Sequence, residues 1–147
     1  MARILRLASI LAIFCVISAG GLAYVYLFTQ PKIERNSRLE LEKAKQEVLP
    51  ESGKGRAISV SPKGYSGPID MLVGIDPQGK VSGVKILAHR ETPGLGANIA
   101  KPKFLDQFKG KTMNDPIEPK KDIDAVTGAT ISSKAVCNGV KEALRRK

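Results

Sequence analysis

Tryptophan is absent from this chain, histidine occurs once, and the two cysteines stand far apart at Cys15 and Cys137. Each scarcity closes off a class of chemistry. A disulfide scaffold needs several cysteines at short spacing. Cys15, inside an apolar run, and Cys137, in the last helical pattern, are therefore expected to be unpaired packing residues. No group of His, Cys, Asp and Glu has the spacing of a metal site. A Ser-His-Asp triad would have to use His89, which the pattern places at a strand end as a surface or packing residue. Neither a Walker loop nor a G-x-G-x-x-G turn opening a helix after a strand is present. Aromatic residues make up only 5 % of the chain. The basic excess, 24 Lys and Arg against 14 Asp and Glu for a formal charge of +10, thus lacks the interleaved aromatics on which nucleic-acid bases stack. No nucleic-acid partner is expected; a solvated basic surface near anionic lipid headgroups is.

What the chain has in quantity is one long apolar run. Leu7 to Phe28 contains no charged residue, and as a helix it is about 33 Å long at ~1.5 Å per residue. That length crosses a hydrocarbon core of about 30 Å. Arg3 and Arg6 give the basic start of a signal peptide, but the run exceeds the usual apolar region of about 7–15 residues. Residues 1–28 are therefore read as an uncleaved single-pass membrane anchor. Lys32, Arg35, Arg38, Lys43 and Lys45 follow the run. A raw positive-inside count would keep the remainder in the cytoplasm, yet long domains translocate largely regardless of charge. Charge alone leaves the side open.

Residues 29–55 read as a helical stalk and linker. Pro31 suits a first helical turn, and Glu34 with Arg38 and Lys43 with Glu47 are spaced to pair. Pro50 to Gly55, "PESGKG", ends the helix. Residues 56–147 read as a small α+β domain. "AISVS" alternates, and Ile69 to His89 forms a hairpin turned at Asp76-Pro77-Gln78-Gly79. "ETPGLGANIA" is a Gly/Pro loop and Pro102 to Phe108 a short helix. "KGKTMNDPIEPKKD" is a polar, Pro-interrupted loop, and Ile131 to Leu144 carries apolar residues at helical spacing. Lys101, Lys103, Lys109 and Lys111 are expected to form a solvated or docking face.

"DIDAVTGATISSKAV", Asp122 to Val136, packs Thr127, Thr130, Ser132 and Ser133 around Gly128 and Ala129 just where the last helix begins. Ser and Thr are ordinary helix caps. The small residues also let the backbone approach a bulky group closely, and the amides of a helix start suit a phosphate. On residue chemistry alone, this is a small α+β domain with an anion site at a helix start.

Asp124 to Thr130 resembles the flavinylation motif D-x-x-[ST]-G-A-T of FMN-binding domains. Gly64 to Ile99, with its "GYSGPI" and "ETPGLG" segments, resembles the G subunit of the Rnf electron-transport complex. The C subunit of the sodium-pumping NADH:quinone reductase is similar mainly in the ETPGLG loop, Glu91 to Gly96. This resemblance implies an α+β fold: one N-terminal transmembrane helix and stalk, then a small FMN-binding domain with an antiparallel sheet and a C-terminal helix. It implies FMN held by a phosphoester to Thr130, attached by a separate flavin transferase that uses FAD. Thr127, Gly128 and Ala129 would form the tight approach, and Asp124 the motif's acidic position. Glu91, Thr92, Gly94, Leu95 and Gly96 would pack against the flavin ring or simply close the hairpin. No catalytic residue and no metal are implied. The resemblance implies an electron-carrier subunit on the extracytoplasmic side of the inner membrane. Its expected partners are Rnf-type membrane subunits bearing flavin and an iron–sulfur centre, which couple ferredoxin:NAD⁺ electron transfer to Na⁺ or H⁺ movement. A stand-alone anchored FMN carrier and an anchored binding module without flavin are the competing readings. The chain departs from the family in a shorter segment before Gly64 and in lacking the Trp often found between Lys111 and Asp122. A more exposed flavin, or a partner completing its pocket, is the expected consequence.

Overall fold

The structure, a computed structural model, describes residues 1–50 and 54–146. Of the expected break at Pro50 to Gly55, positions 51–53 lie outside the described residues. Helix α1 (Ala2–Val48) is followed by strands β1 (Arg56–Val60), β2 (Ile69–Ile75) and β3 (Val81–His89), the short helix α2 (Pro102–Leu105) and helix α3 (Thr130–Arg145). The chain divides into two compact units, Met1–Glu40 and Leu41–Lys147.

In the first unit, α1 is apolar on all sides from Leu7 to Phe28, with Leu11, Phe14, Leu22 and Leu27 all exposed. A helix without a polar stripe has no face to turn to water. Among the described residues it is the one helix long and apolar enough to cross a membrane. The Ser9 and Thr29 hydroxyls donate back to the Leu5 and Val25 carbonyls, so neither leaves an unpaired donor in an apolar surrounding. Pro31 corrects one expectation. It lies inside α1 instead of opening a second helix. A proline there removes one main-chain hydrogen bond, a loss that long regular helical runs on both sides outweigh.

The second unit is built on the antiparallel sheet β1-β2-β3. The hairpin β2–β3 pairs Val73 with Val84 and Gly74 with Gly83. Its turn has Gly79 at φ 81°, while the Asp76 carboxylate accepts the Lys80 N–H. Strand alternation gives the sheet two buried faces. Ile69, Met71, Val73 and Ile75 point into the main core with Val136, Val140 and Ala143 of α3 and with Phe104 and Phe108. Phe108 comes from the one-turn 3₁₀ segment Asp106–Phe108 that continues α2. Leu72 points the other way, against Ala44 and Val48 at the end of α1.

The sheet begins at Arg56, and the compact unit that holds it begins at Leu41. The reason is visible in two facing glycines. A Cβ on Gly74 would collide with the Val48 carbonyl, and one on Gly83 would sit 3.1 Å from the Val48 Cα. Their bareness opens a slot for the end of α1. Ser82 closes it by donating to the Val48 carbonyl, and Lys85 pairs with Glu47 at 2.6 Å. Glu47 thus takes a partner from β3, and the expected pairs Glu34–Arg38 and Lys43–Glu47 are not formed among the described residues. Gly74→Ala is expected to destabilise the unit by about 1–3 kcal/mol through overpacking, read as a lower denaturation midpoint.

The polar loop before α3 also turns inward. Ile117 is buried at φ 43°, a left-handed backbone that a β-branched residue rarely adopts. Asp122 holds it there, accepting the Ile117 and Glu118 N–H groups while pairing with Lys111 at 2.9 Å. Burial alone would raise the Asp122 carboxyl, but the Lys111 ammonium and the two backbone donors outweigh it and hold it below the usual carboxylate range. A folded-state value below the unfolded one gives stability that is present above about pH 4 and lost as pH falls through the folded value. Asp122→Asn is therefore expected to lower the melting temperature at neutral pH. The gap from the unsubstituted protein should close as both are taken into acid, which a Tm series from neutral to acidic pH checks.

Candidate functional site

The site forms where three chain segments meet: the β1–β2 turn, the loop leaving β3 and the start of α3. Its centre is Glu91, two residues past the end of β3 and only 5 % exposed. One carboxylate oxygen accepts the Tyr65 and Ser66 N–H groups at 2.8 and 3.1 Å. The other accepts the Ser132 hydroxyl at 2.7 Å. A buried carboxylate is tolerated when donors surround it in this way. The glycines of both flanking motifs make room for it. A Cβ on Gly64 would strike the carboxylate itself, and one on Gly96 would lie 2.7 Å from it. His89 serves the same corner, its Nδ1 accepting the Glu91 N–H at 3.3 Å.

The hydroxyl cluster is used differently from ordinary capping. The N-cap of α3 is Ala129, and no side chain caps the helix start. Ser133 bends back inside the first turn, accepting the Val126 N–H and donating to the Ala129 carbonyl. Ser132 is spent on Glu91. Among the described residues, the amides of Thr130, Ile131 and Ser132 have no hydrogen-bond acceptor, and the Thr130 side chain is exposed beside them. Such a helix start carries partial positive charge and open donors. Gly128 delivers the chain to this point at φ 76°, and a Cβ there would lie 2.6 Å from Leu95 Cδ1. The ETPGLG loop and the TGAT segment therefore touch at Leu95 and Gly128.

Around this contact lies a cavity of about 430 Å³, lined by Glu91, Thr92, Leu95, Gly96, Gly128, Ala129 and Thr130 together with Tyr65, Ile131 and Ser132. Most of the residues marked from sequence come together here. Thr127 and Asp124 do not. They line a neighbouring cavity of about 490 Å³ with Lys101, Lys103 and Phe104. Asp124 is fixed through its backbone, whose N–H donates to the Gln107 side-chain oxygen at 2.7 Å while its carbonyl accepts the Gln107 amide. Gly94 lines neither cavity; at φ 76° it turns the loop, and its carbonyl accepts the Asn98 side-chain amide. Tyr65, Ile131 and Ser132 were not marked from sequence as site residues. The signal for Tyr65 was its place in the GYSGPI segment, and for Ser132 its place in the hydroxyl cluster.

Two further expectations resolve. Lys101, Lys103 and Lys109 are exposed, Lys109 beside an equally exposed Asp106, whereas Lys111 is half-buried and pairs with Asp122. Cys137 is a buried packing residue whose thiol burial pushes up to about 12, leaving it without reactive thiolate at neutral pH. Among the described residues there is no group of His, Cys, Asp and Glu able to hold a metal ion.

Comparison with known proteins gives concordant results. The profile of the FMN-binding domain matches residues 64–145, and that of the RnfG N-terminal region matches residues 1–48. The chain is 36 % identical to the G subunit of the proton-translocating ferredoxin:NAD(+) oxidoreductase complex of Clostridium ljungdahlii, over 92 % of this chain and 87 % of that protein. It is 33 % identical to the G subunit of the ion-translocating oxidoreductase complex of Pseudomonas aeruginosa, over 96 % and 87 % of the two chains. That alignment runs over 186 positions, more than the 147 residues here, so the relative carries segments that this chain lacks. Among solved structures, the C subunit of the Na(+)-translocating NADH-quinone reductase of Parabacteroides distasonis superposes with a TM-score of 0.53 at 28 % identity. The Shewanella oneidensis NqrC superposes with a TM-score of 0.54 at 27 % identity. The chain covers 55 % and 52 % of those two structures, and 63 % and 65 % of it is matched.

Proposed function

The chain belongs to the FMN-binding domain family, as a relative of the Rnf G subunits, and from that premise we propose that it is a membrane-anchored electron carrier whose FMN is joined through a phosphoester to the Thr130 hydroxyl. One observation carries the attachment site. Thr130 presents an exposed hydroxyl at an uncapped helix start, inside a cavity, with open amides beside it. Those amides are suited to the phosphate, and Gly128 gives the close approach that a side chain would block. The cavity falls within the range of about 300–1,000 Å³ usual for small-molecule sites. When bound, FMN supplies one- and two-electron transfer; the protein contributes position and electrostatic surroundings. Glu91 holds the three walls of the cavity together with both carboxylate oxygens spent on protein donors. Its role is to shape the site, and the chemistry with electrons is left to the cofactor.

The finer assignment follows the relatives. The electrons would pass between other membrane subunits of an Rnf-type complex, with Na⁺ or H⁺ movement coupled to that flow. The FMN domain would stand on the extracytoplasmic side, where covalent attachment prevents loss of a cofactor that is hard to replace. A separate flavin transferase, with FAD as donor, would make the bond. Denaturing gel electrophoresis of protein co-produced with such a transferase tests the site. Yellow-green in-gel fluorescence is expected for the unsubstituted chain and for Thr127→Ala and to be absent for Thr130→Ala. Fluorescence lost in Thr127→Ala but kept in Thr130→Ala would move the attachment to Thr127.

A further inference from the structure

From Leu41 onward, the exposed large apolar side chains among the described residues are Tyr65, Leu87, Leu95, Met113 and Ile131. Three of these, Tyr65 at 70 %, Leu95 at 46 % and Ile131 at 57 % exposure, line the single cavity that contains Thr130. Each comes from a different segment, so their convergence is a product of the fold and not of local sequence. An apolar rim left bare around one cavity marks a surface that a ligand covers.

Tyr65 stands out within this rim. Its ring is the most exposed of the three, yet its backbone is among the most firmly held parts of the site. The Tyr65 and Ser66 N–H groups both donate to Glu91, and the turn is closed by the Gly64 N–H donating to the Gly67 carbonyl at 2.8 Å. Conformational freedom is thus removed from the main chain of a residue whose side chain is left mostly exposed. The benefit falls to whatever meets the ring, because a pre-positioned aromatic side chain gives large contact area at low entropic cost.

We propose that Tyr65 is the aromatic contact of the flavin ring and sets where that ring sits in the cavity. The inference rests on the reading that Thr130 carries FMN, and it goes beyond it by assigning a ring-positioning residue outside the TGAT and ETPGLG segments. The composition makes it directly testable. The chain has no Trp and three Tyr, and the other two, Tyr24 and Tyr26, lie in the apolar part of α1. A phenol in van der Waals contact with a flavin quenches its emission by electron transfer, whereas a phenyl ring does not. Rapid quenching in the isolated protein therefore points to Tyr65.

The experiment uses the full chain in detergent, co-produced with a flavin transferase, as the unsubstituted protein, Tyr65→Phe and Tyr65→Leu. Flavin loading is read by intact mass, emission lifetime by time-resolved fluorescence and ring access by iodide quenching. All three proteins are expected to carry FMN. Tyr65→Phe should lengthen the lifetime while iodide access stays low, because the ring is still covered. Tyr65→Leu should lengthen the lifetime and also raise the iodide quenching constant about threefold or more, as expected when an aromatic contact is lost. An unchanged lifetime in loaded Tyr65→Phe overturns the inference, even if Tyr65→Leu fails to fold, and leaves the Thr130 reading intact. Absence of FMN from the unsubstituted protein, with the transferase active on another target, overturns both.

Discussion

Replacing Glu91 with alanine is expected to cost about 3–5 kcal/mol of stability, since three neutral donors lose their acceptor at about 1–3 kcal/mol for each one left buried and unpaired. The loss has a specific structure. The Tyr65 and Ser66 N–H groups and the Ser132 hydroxyl all lose their acceptor at once, and the β1–β2 turn is no longer held to α3. Water entering the vacated space softens the penalty without restoring the geometry. Glu91→Gln is the informative companion. Its amide keeps one acceptor oxygen for the Tyr65 and Ser66 N–H groups and puts a donor where the other stood, so the Ser132 bond must reverse, with the hydroxyl oxygen accepting and its proton left to find another partner. Its cost should be intermediate, about 1–3 kcal/mol. Denaturant titration of the full chain in detergent checks the order. Equal stability of both variants with the unsubstituted protein would mean that Glu91 does not hold the site together.

Gly128→Val carries the second large effect, and it strikes function before stability. The native φ of 76° strains any L side chain, and the new methyl groups must enter space held by Leu95. Strain and collision together imply about 2–4 kcal/mol. Thr130 lies two residues on, so its hydroxyl moves as well. Flavin loading should fall about tenfold or more, since small displacements at a reacting group are costly. Gly79→Ala separates the two causes. Gly79 has a φ of 81° with no heavy atom within 4 Å of a built Cβ. It should show the backbone cost alone, with loading unchanged. The ratio of bound flavin to protein, measured by absorbance after denaturation, reads both variants.

The contrast between these residues explains what sequence could reveal. The β2–β3 hairpin was legible because its turn is local: Asp76 and Gly79 are near neighbours and fix each other. Helix α3 was legible from the spacing of Ala135, Val136, Val140 and Ala143, which needs no knowledge of the partner face, although Ile131 of the same pattern stands exposed at the cavity. The TGAT segment was legible by resemblance. Glu91 stands in the ETPGLG loop that resemblance points to, but its role is not legible there, because its three partners lie 25, 26 and 41 residues away. Periodicity carries no information at that separation. Likewise, Gly74 and Gly83 look like two weak strand positions until the register sets them side by side against Val48. The inward turn of Ile117 was hidden by a polar, proline-rich loop whose organising contact, Asp122, acts through backbone donors that any sequence possesses.

The same view accounts for the hydroxyl cluster at the start of α3. Capping would have used these residues interchangeably. In the fold they are divided: Ser133 closes the first turn and Ser132 anchors Glu91, while of the two exposed threonines Thr127 faces the neighbouring cavity and Thr130 stands at the open amides. The proposed attachment rests on that division, because Thr130 is the exposed hydroxyl that stands beside the open amides.

The intact mass of the full chain co-produced with a flavin transferase, beside Thr130→Ala, reads covalent attachment and its site together. A gain of one FMN less one water is expected in the unsubstituted protein and none in the variant. An unmodified mass with a transferase active on another target, or a gain that persists in Thr130→Ala, would contradict attachment at Thr130.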